Sequence, residues 1–400
     1  MHTSPAESAG TRDAGGMNVL LLAVATALAS RGVEVDLLTR ASAAPSARPI
    51  ADGVTLRELR AGPPGPLPKT GLVELADEFG EAVAKLARVG PRYDIIHAHY
   101  WLSGIATLPV AIETGLPFVQ SFHTLAAMKN GFLAPGQEPE PEARVLSEMF
   151  LANQAGAVIA GSAAEVSALI DEVRAPADRV WVIPPGVDTE LFRPARAAAA
   201  DLPLRAELGI PGGRPILVVA GRVQPLKDQE LAIRALAELH RLRGSKPVLV
   251  IAGEPPPGDH GYLDSLRALA AELRVSADVR FPGALTRESL ADLLAVASVT
   301  LVPSRSETFG LVALESAASG TPVVGFRGSG LLASVADGRS GVLVDSRDPR
   351  DWAHTLDQLL GKPRSLARLS ATARSHAEDN TWAMTAIELQ GVYAELMSAR

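Results

Sequence analysis

Short runs rich in Val, Ile and Leu recur along the chain and alternate with longer stretches of helical periodicity. In the first half the runs read VEVDLLT, VTLREL, IIHAHY, PFVQSF, AVIAGS and VWVIP. In the second half they read PILVVAG, PVLVIAG, VRFPG, VTLVPS, TPVVGF and GVLVD. Apolar strands alternating with helices predict parallel sheets covered on both faces. Between the two sets, PPGVDTELFRPARAAAADLP (184–203) breaks the rhythm with prolines and is expected to form an irregular linker. The pattern therefore predicts an α/β protein of two Rossmann-like domains, 1–190 and 204–379. In the final stretch, Ala383, Ala386, Leu389, Val392 and Leu396 recur at helical spacing. Periodicity alone leaves open which domain that helix closes; the expectation adopted is that 380–400 crosses back onto the first.

The segment MNVLLLAVATALAS (17–30) is apolar and ends in small residues, like a signal-peptide core. No basic leader precedes it, and it is too short to span a bilayer. A strand-like RGVEVDLLTR follows directly, so a buried helix is expected, with no membrane span and a cytoplasmic location. A Gly-rich turn that opens a helix normally follows a strand, yet none is visible ahead of DAGGMN (13–18). The expectation is that the first strand of the N-terminal sheet is missing, or that the sheet begins one strand late.

Composition narrows the function without naming it. Four hundred residues exceed one ordinary core, in keeping with two domains. A net charge of −7 with acids and bases interspersed gives no basic field for nucleic acid. The absence of cysteine removes disulfide and thiol chemistry.

Candidate chemistry gathers at strand ends. In DAGGMN, Gly15 and Gly16 allow close backbone approach, and the helix that follows offers unpaired N–H groups to an anion. In AGRVQPLKD, Arg222 and Lys227 follow an apolar strand, where open α/β sheets bind ligands, and the two cations suit a diphosphate. In SRSETFGLVALE, Glu307 sits in a loop and Glu315 early in a helix, with Phe309, Gly310 and Leu311 between them. Ionised carboxylates only accept hydrogen bonds, which matches the vicinal hydroxyls of a ribose or hexose; helix-dipole complementation is the plainer alternative. In the first half, HAHYWLSG and SFHTL also follow strands. His97 and His99, two apart on a strand, point the same way. No third ligand stands at a recognisable metal spacing, so satisfied histidines are expected rather than a metal site.

With these residues assembled, the chain resembles a family-4 retaining glycosyltransferase of the GT-B fold, over almost its full length. The E-x7-E stretch with ESAASGTPVV carries most of the resemblance, backed by GRVQPLKD, VIPPGVDTELFRP and the late TW…VY helix. Within the family, HTSP, DAGGMNV, HAHYWLSG, HT and EPEARV are most similar to the branch that transfers N-acetylglucosamine to an inositol phosphate in mycothiol synthesis. The resemblance implies two domains facing a central cleft, a UDP-sugar donor (UDP-GlcNAc), and no cofactor needed for the chemistry. Mg2+ is not implied by the sequence, and a homodimer is left open. It further implies that Arg222 and Lys227 contact the diphosphate and that Glu307 and Glu315 meet the donor. Catalytic roles fall to Arg222, Lys227, Glu307 and His123, and Gly15, Gly16, Phe309, Gly310 and Leu311 complete the donor site. The acceptor phosphate would be held by Lys69, Tyr100, Thr124 and Arg144, with His2 and Asn18 beside the cyclitol. No carboxylate is placed to be a covalent nucleophile; the family's front-face displacement fits.

Two departures from the family pattern stand out. RGSGLL (327–332) replaces a GGLP-like turn after the PVV strand, and VLSEMFLANQ after Arg144 drifts from the inositol-phosphate branch. A natural-product enzyme acting on another cyclitol, or a degenerate non-catalytic member, is the alternative. A two-lobed binding protein would need an export signal. A nicotinamide-dependent dehydrogenase would need G-x-G-x-x-G, which DAGGMN does not supply.

Overall fold

The computed structural model describes residues 4–7, 15–65, 67, 69–131, 133, 138–242, 246–256, 258, 260–328 and 330–398, apart from the side chains of Lys69 and Thr70. His2 and the Lys69 side chain therefore lie outside the described residues. The chain divides into two compact units. One holds residues 4–7, 16–184 and 382–398; the other holds Gly15 and 185–381.

The first unit opens with α1 (Gly16–Ala29), β1 (Val35–Arg40), β2 (Ser46–Ala51) and β3 (Val54–Leu59), followed by α2 (Ala76–Val89), β4 (Ile96–His99) and α3 (Trp101–Thr114). It continues with β5 (Phe118–Ser121), α4 (Ala126–Asn130), α5 (Glu142–Gln154), β6 (Ala157–Ala160), α6 (Ala163–Asp171) and β7 (Val180–Val182). Its strands pair in two sets, β1-β3-β2 and β4-β5-β6-β7, all parallel except the β2–β3 pair. The two sets share helices on both faces. Leu38 and Leu59 join Ile96 and Ala98 in one apolar cluster with Phe79 of α2 and Leu102 of α3. On the other face, Val35 joins Val119 and Ile159 in a cluster with Val24 and Leu28 of α1. β1 and β4 each have a paired strand on one edge alone, and no strand precedes α1 among the described residues. The apolar segment 17–30 is thus a helix packed into this core. β2 went unread in the sequence because it is mostly exposed and carries Pro49 beside a register shift, as edge strands do.

The second unit contains α7 (Ala197–Glu207), β8 (Ile216–Ala220), α8 (Gln229–Leu242), β9 (Val248–Ala252), α9 (Gly261–Glu272), β10 (Val279–Gly283) and α10 (Arg287–Val296). After these come β11 (Val299–Val302), α11 (Leu311–Ala318), β12 (Val323–Phe326), α12 (Leu331–Ser334), β13 (Gly341–Val344), α13 (Pro349–Leu360) and α14 (Pro363–Glu378). The stretch expected to be irregular is corrected here. A 3-10 turn, Pro194–Arg196, leads into α7, because the alanine run favours helix strongly enough to accommodate Pro203. All six strands are parallel, in the order β10-β9-β8-β11-β12-β13. The chain moves outward from β8 in one direction and then returns to β11 beside it, so the strand order reverses between those two strands. In such sheets the crevice at the carboxyl ends of the reversal strands is the ligand position.

The final helix, α15 (Trp382–Ser398), belongs to the first unit. Ala386, Leu389, Val392 and Tyr393 enter the same cluster as Val24 and Leu28, and Arg31 Nε donates to Gln390 at 2.8 Å.

Candidate active site

In the second unit the expected donor residues emerge from the two reversal strands. Arg222 and Lys227 follow β8, and Glu307 and Glu315 follow β11. Lys227 Nζ donates to Glu307 Oε1 at 2.5 Å, and Ser304 Oγ donates to the same oxygen at 2.7 Å. Glu315, almost fully buried on α11, accepts from Arg287 Nη1 at 2.6 Å, and the Arg287 guanidinium lies 4.7 Å from the centre of the Phe192 ring. Gly310 turns the loop into α11 at a φ of 89°, where a side chain would be strained. Phe309 is buried beneath that turn, and Leu311 begins the helix. The Arg222 carbonyl accepts from Gln229 Nε2 at 2.9 Å, which fixes the β8 loop. A Cβ on Gly15 would stand 3.1 Å from Arg222 Nη2, so the Gly-rich turn brings bare backbone to that guanidinium. Gly16 begins α1 in the first unit.

In the first unit, three of the four expected phosphate ligands come together around Arg144. Its side chain is buried on α5. Nε donates to Glu148 at 2.7 Å, Nη1 to Glu140 at 2.8 Å, and Nη2 to the Thr124 carbonyl at 2.7 Å and hydroxyl at 3.1 Å. The guanidinium also lies over the Tyr100 ring, 5.2 Å from its centre. Burial would raise the Glu140 pKa, but the hydrogen bond from Lys129 and the charge of Arg144 outweigh it and hold it below the usual range. Burial wins at Glu148, whose pKa is raised despite Arg144.

Beside this cluster, His97, His99 and His123 form a stack with centroid separations of 4.0 and 5.1 Å. His99 Nδ1 and His123 Nε2 are 2.9 Å apart; His97 bonds Tyr393 Oη at 2.6 Å and Ser121 Oγ at 2.9 Å. Burial pushes His97 down to about 3 and His123 to about 4, and pushes His99 well below the ordinary histidine value. All three are neutral at physiological pH. Tyr100 (φ 74°) and His123 (φ 62°) are left-handed non-glycine residues at the ends of adjacent strands. Such strain gathers at functional sites. Asn18 is buried, and its amide donates to the Ser4 carbonyl at 2.7 Å. Among the described residues no group of three or more His, Cys, Asp or Glu is placed to hold a metal ion. No described helix is long and apolar enough to cross a membrane.

Sequence reasoning missed Arg287, Lys129, Glu140, Glu148 and Tyr393. The i,i+4 spacing of Glu140 and Glu148 about Arg144 was the available signal for two of them. Arg287 and Tyr393 meet their partners only through the tertiary fold.

Comparison with known proteins places the chain in a family. Residues 14–191 match the profile described as Glycosyltransferase Family 4, and residues 202–376 match Glycosyl transferases group 1. The chain belongs to the family-4 glycosyltransferases and has their GT-B fold. A protein named D-inositol 3-phosphate glycosyltransferase from Nocardiopsis dassonvillei is 43% identical over 408 residues, covering 100% of this chain and 94% of its own. Its namesake from Frankia alni is 43% identical over 406 residues, covering 100% and 98%. Among solved structures, sucrose-phosphate synthase from Thermosynechococcus elongatus superposes with a TM-score of 0.90 at 28% identity, covering 100% of this chain and 98% of its own. Anabaena HepE, solved with UDP-glucose, gives 0.76 at 20% identity, covering 98% of each chain.

Proposed function

We propose that the protein transfers N-acetylglucosamine from UDP-GlcNAc to 1D-myo-inositol 3-phosphate in the cytoplasm, with retention at the anomeric carbon. The observation that carries the acceptor is the meeting of Tyr100, Thr124 and Arg144, from three separated segments, around one guanidinium. A guanidinium beside the Thr124 hydroxyl and over the Tyr100 ring suits a phosphate monoester, because charge-assisted bonds are about twice as strong as neutral ones. The names of relatives sharing about two-fifths of the sequence support the same acceptor.

On the donor side, Arg222 and Lys227 neutralise the charge that develops on the departing diphosphate, the kind of contribution that usually dominates catalysis. Glu315 accepts from the ribose hydroxyls and Glu307 from hydroxyls of the donor sugar. His123, neutral and buried, offers a hydrogen-bonding imidazole without adding charge. Neighbours of the same fold that bind UDP-glucose support a nucleotide-sugar donor.

The test is kcat/KM for inositol 3-phosphate and for inositol, each with UDP-GlcNAc and with UDP-glucose. The expected preference for the phosphorylated acceptor is at least tenfold, from hydrogen bonds to charged groups of about 1.5–3 kcal/mol. Equal use of the two acceptors refutes the inositol-phosphate assignment and moves the reading to an unphosphorylated cyclitol.

A further inference from the structure

The acceptor cluster already contains an anion of its own. One Glu140 oxygen pairs with Lys129 Nζ, and the other accepts from Arg144 Nη1 at 2.8 Å. The backbone N–H of Glu140 donates to Asn130 Oδ1 at 2.8 Å, which holds the backbone that carries the carboxylate.

The two acids on Arg144 are not equivalent. The Glu148 side chain is 1% exposed and also accepts from the Ala126 N–H at 2.8 Å, which makes it a fixed counter-ion. The Glu140 and Lys129 side chains are 21% and 36% exposed, so this pair can part into solvent at small cost.

We propose that Glu140 is a resident occupant of the acceptor's anion seat, that the acceptor phosphate displaces it, and that Lys129 is a further cation of that seat. A carboxylate bridging an ammonium and a guanidinium occupies the donors that two phosphate oxygens would use. With Glu140 in place, the charges of Lys129 and Arg144 are balanced by the two acids, and an incoming phosphate finds no net attraction. Once Glu140 withdraws, the seat is cationic. An anion must then outcompete a tethered carboxylate, which a dianionic phosphate monoester does and a lone carboxylate does not. Glu140 is thereby a specificity-determining residue: it sets a threshold of ligand charge. This inference rests on the phosphorylated-acceptor reading above, and it names which groups admit the phosphate.

The experiment is calorimetric titration of inorganic phosphate, and of acetate as a monoanion, into the wild type, Glu140→Gln and Lys129→Met, with melting temperatures of all three. Glu140→Gln is expected to bind phosphate about fivefold more tightly, the upper range for a part-exposed ion pair, and to gain measurable acetate binding. Lys129→Met is expected to bind phosphate about tenfold more weakly, the scale of one charge-assisted hydrogen bond. If a folded Glu140→Gln binds phosphate no better than wild type, Glu140 only buttresses Arg144 and the proposal fails. It fails equally if Lys129→Met leaves phosphate affinity unchanged. Turnover of inositol against its 3-phosphate reports separately on the acceptor reading, because the phosphate and acetate titrations involve no cyclitol.

Discussion

Lys227 Nζ lies 2.5 Å from Glu307 Oε1, joining the loop after β8 to the loop after β11 where the strand order reverses. The pair is partly solvated, with side-chain exposures of 25% and 12%, so it contributes little to stability. In the proposed reaction it holds an ammonium at the crevice where the diphosphate would leave. Lys227→Ala is therefore expected to lower kcat by ~10²-fold or more, with the melting temperature nearly unchanged. Steady-state kinetics beside a thermal melt checks both halves. A rate within tenfold of wild type would remove Lys227 from the chemistry.

The Glu315–Arg287 pair makes a separate prediction about binding. Removing Glu315 leaves Arg287 on the Phe192 ring with a side chain 28% exposed, where water can solvate its charge. The fold should survive. Glu315→Ala is expected to weaken UDP binding by about tenfold, the scale of a hydrogen bond to a charged group. The sharper readout is 2′-deoxy-UDP. Wild type should bind it more weakly than UDP, and Glu315→Ala should bind the two alike. A penalty for the missing hydroxyl that persists in the variant would place the ribose elsewhere.

Most strands were legible because their runs of Val, Ile and Leu, buried almost throughout in β5, β6, β8, β9 and β11, read as strands without knowledge of their partners. β2 was not, since Ser46–Ala51 is mostly exposed and shows no apolar alternation. α7 was misread because Pro203 signals a break locally, while the alanines before it propagate the helix. Arg222, Lys227, Glu307 and Glu315 could be singled out as candidates because each follows a recognisable strand. The shared orientation of His97 and His99 followed from the two-residue repeat of a strand, and their rings do stack. The contact to His123 depends on the register that sets His99 opposite Ser121, which no local pattern encodes. Arg144 was read as a cation awaiting a phosphate. Its burial among Glu140, Glu148 and Thr124 is a property of packing, and packing is invisible in a linear string.

The histidine stack is expected to govern acid stability. In the fold, His97, His99 and His123 stay neutral far below pH 6.5, because burial and the neighbouring rings oppose their charge. In the unfolded chain they protonate near 6.5. Their contribution to stability is present above pH 6.5 and is lost as pH falls toward 4 and 3. Glu165 works in the opposite sense. Burial raises it to about 7, so its contribution is present below about 4.5 and is lost as pH rises through 7. Burial also lowers His240 and His376 and raises Glu148. Between pH 6.5 and 4.5 five histidines therefore oppose two acids, and stability should fall on acidification by about 2–3 kcal/mol per pH unit. Thermal melts from pH 8 to 5 are the measurement. His99→Asn should shallow the slope, and Glu165→Gln should stabilise at pH 8 but not at pH 5. A melting temperature that rises from pH 7 to 5 contradicts the assignment.

Arg144 carries a structural burden that complicates its use as a phosphate probe. Its side chain is 4% exposed and neutralises Glu148, which is 1% exposed. Removing one member of a buried pair strands the other, at about 3–5 kcal/mol. Arg144→Ala is expected to lose that much stability in chemical denaturation, whereas replacing both Arg144 and Glu148 by methionine should cost less than Arg144→Ala alone. Arg144→Lys, which keeps the charge but not the fork of donors, is the variant in which acceptor kinetics can be read. If Arg144→Ala is as stable as wild type, Glu148 is not held by this pair.

Gly330 tests the one turn of the donor loop that departs from the family pattern. The RGSGLL sequence lacks the usual turn, yet Gly330 N–H donates to the Glu307 carbonyl at 2.7 Å. A Cβ on Gly330 would fall 1.7 Å from the Thr308 carbonyl oxygen, and backbone cannot yield as a side-chain tip can. Alanine at 330 must therefore push residues 307–309 away from α12. That segment carries the Glu307 carboxylate bonded to Lys227 and leads into Gly310, which starts α11 and so positions Glu315. Both proposed donor contacts depend on it, while the sheet strands β11 and β12 do not. Gly330→Ala is expected to reduce UDP affinity by tenfold or more, since the two carboxylates shift together and each charged hydrogen bond is worth about 1.5–3 kcal/mol. Its melting temperature should fall by only a few degrees, as for a displacement confined to a loop. Calorimetric titration with UDP and a thermal melt on the same sample decide the matter. A variant that binds UDP as wild type does would mean that the 304–310 loop does not hold the nucleotide, and Glu307 would then have no part in the donor site.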